Sequence, residues 1–245
     1  MCAIALVLGV VAARPAWAGR PLATEDTGTL DPGQVEAEIS VDYVRDGRSG
    51  VFLLPGGPAL NVGVLPRLEG SVATGLVVLT SGDGPSRVGP GDTLIRLKYR
   101  IVDETPAVPA LMGAIGARLP TGDADRGLGE PDVDVQTLLV ASKSFGAVTT
   151  TVNGGYTFVT RDGALDVVNV NAAAEARITD VWSVVGEVVS ELAVHRRGDS
   201  RVLVRGGVVY ALGEWARLDA AAAVGRTRGS PDLVLTVGIT VLLHP

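Results

Sequence analysis

The amino-acid sequence predicts an all-β protein, an up-and-down antiparallel transmembrane β-barrel of about 12 strands. Three observations predict this fold. Apolar and polar residues alternate in many stretches, the connections between these stretches are short and long in turn, and charged residues recur on one side of the stretches. Alternation with a period of two is typical of strands. Short turns at one end and long loops at the other are typical of outer-membrane barrels.

The alternation is clearest in the middle of the chain. Val135 and Leu139 fall on one side of an extended segment, whereas Asp134 and Gln136 fall on the other. The pattern returns directly after Gly146, so the two halves form a hairpin with a very tight turn. Twelve stretches share this period, and the predicted strands are residues 34–44, 59–65, 67–80, 92–102, 107–119, 132–145, 147–159, 167–178, 181–194, 201–212, 215–225 and 232–243.

Short and long connections between the predicted strands alternate along the chain. Every second connection is a short turn, at residues 65–66, 103–106, 146, 179–180 and 213–214. The others are longer, at residues 45–58, 81–91, 120–131, 160–166, 195–200 and 226–231. A soluble β-sandwich gives no reason for this order, whereas a barrel inserted in the outer membrane does, with both termini at the periplasmic end.

The N-terminus predicts export. Residues 1–18 are interpreted as a signal peptide, because an apolar run too short to span a bilayer precedes a small-x-small sequence that ends at Ala18. The usual basic start of a signal is missing, and an apolar N-terminal strand is the alternative interpretation. Residues 19–33 are polar and rich in turn formers, which predicts a periplasmic or lumen segment before a barrel at 34–245.

Composition limits the partners. The formal net charge is −6 and basic residues are scattered, which argues against a nucleic-acid partner. No run of 18 apolar residues follows the predicted signal, so the exported chain is either soluble or a barrel. A barrel implies outer-membrane lipid and the outer-membrane assembly machinery as partners, although the chain ends at Pro245 and lacks the terminal aromatic residue typical of such barrels.

Charged residues on the polar sides of the strands are the candidate site. Ionised groups are costly in a dry core but not in an enclosed aqueous lumen. A basic ladder of Arg96, Lys98 and Arg100 is expected to oppose acidic residues across the lumen, among them Glu36, Glu38, Glu187 and Glu191. Such a network either narrows and polarises a pore or only braces the barrel. The predicted lumen-lining residues are Glu36, Glu38, Asp42, Glu69, Arg96, Lys98, Arg100, Arg118, Glu175, Arg177, Glu187, Glu191, Arg201, Arg205, Arg217 and Asp219.

Other chemistry has weaker support in the sequence. Acidic residues from Asp123 to Asp134 could gather oxygen ligands for calcium, but their spacing favours an acidic external loop. His195 and Asp199 could form an acid–base pair, yet no nucleophile can be placed beside them. We therefore expect no catalytic residues, no metal site and no cofactor.

Four short motifs resemble one known family. They are RPLATED at 20–26, RLKYR at 96–100, RLPTGD at 118–123 with GLG at 127–129, and SPD at 230–232. They are similar to the outer-membrane β-barrel family assigned to the meta-pathway of phenol degradation. The resemblance covers nearly all of the predicted mature chain, and it implies a Gram-negative outer-membrane location and passive passage of small molecules, with hydrophobic or aromatic ones as candidates. The alternatives are a barrel that binds or braces without transport and, with less support, an outer-membrane hydrolase.

Overall fold

The structure is a computed structural model that describes residues 19–47, 49–53, 58–80, 85–160, 166–194 and 200–243. The predicted signal at 1–18, His195 and Asp199 lie outside these ranges. None of the helices in the described ranges is long and apolar enough to cross a bilayer. The strands are β1 (Val35–Asp46), β2 (Ser49–Leu53), β3 (Ala59–Leu65), β4 (Leu68–Ala73), β5 (Leu76–Thr80), β6 (Arg87–Pro90), β7 (Thr93–Val102), β8 (Ala110–Leu119), β9 (Asp134–Phe145), β10 (Val148–Val159), β11 (Val167–Arg177), β12 (Trp182–Ala193), β13 (Arg201–Ala211), β14 (Ala216–Gly225) and β15 (Leu233–Leu243).

The sheet closes into a barrel. The last strand pairs with the first, from Val35 opposite Leu243 to Arg45 opposite Leu233, and every pairing is antiparallel. The 15 described segments correspond to 12 wall strands, because β2 with β3, β4 with β5, and β6 with β7 each form one interrupted strand. This confirms the predicted closed barrel of 12 strands.

The sequence prediction missed two of the segments. β2 and β6 lie where loops at 45–58 and 81–91 are predicted. Gly50 sits within β2, and Gly89 and Pro90 sit within β6. Neither segment shows a clear alternation, since glycine and proline are depleted in strands and carry no apolar side chain pattern. The pairing of β2 with β5 and of β5 with β6 decides the structure instead.

The outer wall is apolar. Large aliphatic side chains such as Leu139, Val170 and Val237 are half exposed or more, and each alternates with a neighbour that faces the lumen. In water such a continuous apolar surface would promote aggregation, whereas it matches the apolar band of a membrane barrel. Two of the short turns have left-handed backbone, at Gly146 (φ 62°) and Gly213 (φ 92°), a conformation that glycine adopts without steric cost.

Candidate functional site in the barrel lumen

The barrel encloses a cavity of about 1400 Å³. Its lining includes Arg118 and Arg201, at the end that carries the long loops, and Asp103 and Glu104, in the short turn between β7 and β8. The cavity is therefore bounded by residues from both ends of the barrel. Ten acidic and six basic residues line it.

Residues 19–34 cross the lumen, and we call them the lumen segment. The first part of this segment is attached to β12 and β13. The carboxylate of Glu187 accepts hydrogen bonds from the backbone amide of Ala23 (2.9 Å), the amide of Thr24 (2.8 Å) and the hydroxyl of Thr24 (2.6 Å). Arg205 Nη1 lies 3.0 Å from Glu187 Oε1 and donates to the carbonyl of Pro21 at 2.7 Å. The Glu187 side chain is fully buried, so one carboxylate holds both the wall and the segment.

A second buried ion pair fixes the start of the lumen segment. Arg20 donates from Nη2 and Nε to the two carboxylate oxygens of Asp219 on β14, at 3.1 and 3.3 Å. The Asp219 side chain is fully buried. Gly238 on β15 permits this position, because a Cβ there would collide with the Arg20 guanidinium. We call Glu187, Arg205, Arg20 and Asp219 the buried anchor.

The middle of the lumen segment is held at Glu25. Asn153 on β10 accepts from the Glu25 amide and donates to the Glu25 carbonyl, both at 2.7 Å. The Glu25 carboxylate points the other way, to Arg96 (2.5 Å) and Lys98 (3.2 Å) on β7. β8 and β9 separate these two strands in the sheet, so Glu25 bridges across the inner face of the wall. Glu25, Arg96 and Lys98 form what we call the Glu25 clamp, and all three line the cavity.

The end of the lumen segment runs along β3 and β4. The amide of Leu30 donates to Glu69 at 2.8 Å, and Glu69 also lies 3.1 Å from Lys98. Gly33 and Gln34 exchange two backbone hydrogen bonds with Gly63, at 2.8 and 3.0 Å. Gly63 is needed here, because a Cβ would collide with the carbonyl of the segment that passes over it. The lumen segment thus reaches the start of β1 fixed along its length.

Acidic and basic groups also meet at the end of the long loops. Arg118 forms an ion pair with Asp134 and lies 3.4 Å from Asp92. Asp92 accepts the amides of Gly122 (3.0 Å) and Glu130 (2.9 Å), which ties the loop after β8 to the start of β7. In the described ranges no three His, Cys, Asp or Glu side chains are grouped as metal ligands. Of the acidic residues here, Asp123 accepts the amide of Arg126, and Glu130 and Asp134 lie close to Arg118.

The structure separates the predicted lumen-lining residues into two sets. Nine of them line the cavity: Glu36, Glu38, Glu69, Arg96, Lys98, Arg100, Arg118, Glu191 and Arg201. Seven lie on lumen-facing positions outside its lining: Asp42, Glu175, Arg177, Glu187, Arg205, Arg217 and Asp219. Their assignment to a pore stays a prediction.

The predicted partners of the basic ladder were wrong. Arg96 and Lys98 pair with Glu25 and Glu69, and Arg100 lies 3.4 Å from Asp103. The acidic residues expected opposite the ladder have other contacts. Glu187 pairs with Arg205, Glu191 with Arg201 at 3.7 Å, and Glu36 and Glu38 both accept from Asn61.

Sequence reasoning missed Glu25 and Arg20, because the lumen segment has no period from which a facing direction could be assigned. The signal that could have found them is composition. Both are charged residues in a short polar stretch that precedes a barrel with charged inner faces, and such groups need partners when they enter that lumen.

Solved structures share this architecture. An outer membrane channel from Pseudomonas putida F1 has a TM-score of 0.69 at 13% identity, covering 89% of this chain and 98% of that one. The NanC porin has a TM-score of 0.61 at 7% identity, covering 84% of this chain and 100% of that one. The KdgM porin has a TM-score of 0.53 at 8% identity, covering 84% and 99%. At these identities the likeness shows the fold, which is that of outer-membrane β-barrels.

The family follows from the sequence. A family model described as "Putative MetA-pathway of phenol degradation" matches residues 18–243. The chain belongs to this family, which confirms the resemblance carried by its short motifs. No curated protein matches the chain in sequence.

Proposed function

We propose that the protein is a passive channel for small molecules in the outer membrane of a Gram-negative-type bacterium. The cavity of about 1400 Å³, bounded by residues from both ends of the barrel, is the observation that carries this function. A wall of 12 strands lies between the 8 strands that side chains fill and the 16 or more that leave a wide aqueous channel. Since the lumen segment takes part of this space, the route is narrow and admits small solutes.

The polar lining supports the passage of solutes through a hydrated lumen and argues against a purely structural, water-free barrel interior. The cavity side carries ionised residues of both signs, whereas the outer wall is aliphatic. Charges that remain in contact with water avoid most of the desolvation penalty that a closed core would impose. The family description and the channels with the same fold support a solute class of small organic molecules, with aromatic ones as candidates.

Planar-bilayer recording with cysteine modification tests the channel. In a Cys2→Ser background, Ser71→Cys places a thiol on the cavity face of β4, and Val72→Cys places one on the apolar outer face. A charged, membrane-impermeant thiol reagent is expected to lower the single-channel conductance of S71C and to leave V72C unchanged. A wild-type protein that inserts but conducts no ions would overturn the proposal. It would favour the alternative of a structural barrel whose lumen segment is a permanent seal.

The hydrolase alternative depends on His195, which lies outside the described residues. Solved structures that share this fold include channels and porins. We propose that transport does not depend on catalysis, and an unchanged conductance in His195→Ala is the expected result.

A further inference from the structure

We infer that Glu25 sets the charge preference of the channel, which admits cations and neutral molecules in preference to anions. This inference rests on the proposed channel function. It concerns a residue of the lumen segment, not of the barrel wall, and it follows from the way in which the charges of β7 are neutralised.

The basic ladder would by itself favour anions. Arg96, Lys98 and Arg100 project from one strand into the cavity, and three like charges at alternate positions of one strand produce a positive potential there. Glu25, Glu69 and Asp103 lie within 3.4 Å of these cations. Each cation of the ladder therefore has a carboxylate beside it.

Once the ladder is neutralised, the remaining lining is acidic. The cavity has ten acidic and six basic residues, and Arg118 and Arg201 are also paired with carboxylates. Asp31, Glu36 and Glu38 lie in the same lining. The carboxylates of Glu36 and Glu38 both accept hydrogen bonds from the Asn61 amide, which is neutral, and the Asp31 backbone amide donates to the Gln34 side chain. The field along the route consequently favours positive solutes.

Glu25 is the carboxylate whose loss would change this balance most. Lys98 keeps Glu69 at 3.1 Å when Glu25 is neutral, but Arg96 has Glu25 as its ion-pair partner. The Arg96 side chain is also the most exposed of the clamp, at 35%, against 16% for Glu25 and 11% for Lys98. Neutralising Glu25 thus presents an unbalanced guanidinium to the cavity. The backbone of Glu25 would stay in place, because Asn153 holds its amide and its carbonyl.

The test is the reversal potential of single channels in a KCl gradient at about 0.1 M, where screening acts over roughly 10 Å. Glu25→Gln is expected to lower the K⁺ to Cl⁻ permeability ratio by at least about fivefold, because one unit charge about 4 Å away changes the occupancy of each ion by about that factor in water, in opposite directions for the two ions. Glu214→Gln is the matched control. It makes the same change of charge in an exposed turn outside the cavity lining, and it should keep the wild-type ratio.

Two further variants separate charge from structure. Arg96→Gln should raise the ratio modestly, since Glu25 keeps Lys98 as a partner. The double variant E25Q/R96Q should return toward the wild-type ratio.

Aromatic probes of opposite charge extend the test to organic solutes. The uptake of tyramine into liposomes should exceed that of 4-hydroxyphenylacetate, and E25Q should narrow the difference between the two rates.

The outcomes are distinguishable. Absence of wild-type conductance would refute the channel itself. Wild-type channels that prefer Cl⁻, or an E25Q ratio equal to that of Glu214→Gln, would overturn the role of Glu25 while leaving the channel intact. An E25Q channel that conducts more of both ions at an unchanged ratio would show that the clamp only holds the lumen segment. If E25Q does not insert, an unchanged ratio in R96Q overturns the inference.

Discussion

The lumen segment meets the barrel wall in two different ways. At the buried anchor, Glu187 and Asp219 are fully buried and each carboxylate is bound by an arginine. At the Glu25 clamp, all three charged side chains keep part of their surface open to the cavity. Burial decides what an ion pair can do. A buried pair whose partner is removed leaves a costly charge, whereas a pair at a cavity can exchange a partner for water and act on passing solutes. The segment is therefore fixed by buried pairs at one side of the lumen and held by partly exposed pairs at the other, where we infer its effect on solutes.

Glu187→Ala is the substitution that we expect to destabilise the protein most, and it tests the buried anchor directly. The change removes the acceptor of two backbone amides and a hydroxyl and leaves Arg205 buried without its carboxylate. Loss of one partner of a buried pair typically costs about 3–5 kcal/mol. We expect a decrease of that size in the free energy of unfolding, measured by denaturant titration in detergent micelles with the heat-modifiable gel shift as readout.

Glu191→Ala is the control for this substitution. Its ion pair with Arg201 lies on the neighbouring part of the same two strands, but the two side chains are 47% and 63% exposed. An exposed pair contributes about 0–1 kcal/mol. Equal destabilisation by both substitutions would contradict the view that burial separates the anchor from the other pairs of the lumen.

Gly238→Ala is expected to have a smaller effect on the same anchor. The new methyl group would occupy the space of the Arg20 guanidinium, so Arg20 must move away from Asp219. Overpacking of this kind costs about 1–3 kcal/mol. Gly154→Ala in β10 is matched to it, because nothing lies within 4 Å of a Cβ at that position, and its unfolding free energy should stay near that of wild type. A G238A barrel as stable as G154A would mean that Arg20 does not hold the segment.

The barrel wall and the contacts of the lumen segment differ in how far the sequence could predict them. The alternation of apolar and polar residues predicted the barrel and the lumen-facing charges of eight of its strands, because strand period is a local property. The interruptions of the wall at β2 and β6 were not predictable, since glycine and proline hide the period there. The contacts between side chains within the lumen were the hardest feature to predict from the sequence. Glu25 and Asn153 are 128 residues apart, and a contact of that kind depends on how an aperiodic segment crosses the closed barrel.

The smallest effect on stability is expected at a single exposed carboxylate, which can be compared with the carboxylates of the buried anchor. Glu104, in the short turn after β7, accepts from the amide and hydroxyl of Ser144 and lies 3.1 Å from Lys143. Partial burial raises the pKa of Glu104, but these hydrogen bonds and the charge of Lys143 outweigh it and hold the pKa below its ordinary value of 4.5. Its stabilisation is therefore complete above pH 4.5 and is lost as the pH falls through the lowered pKa.

Comparing Glu104→Gln with wild type across pH measures this contribution. The variant should unfold at slightly lower denaturant concentration at neutral pH, by less than G238A, because solvent screens an exposed pair. The difference should vanish in acid, where the wild-type carboxyl is also neutral. A difference that persists unchanged at low pH would assign the contribution to the shape of the hydrogen-bonded turn and not to its charge. It would also mean that exposure alone does not separate weak ion pairs from the buried anchor.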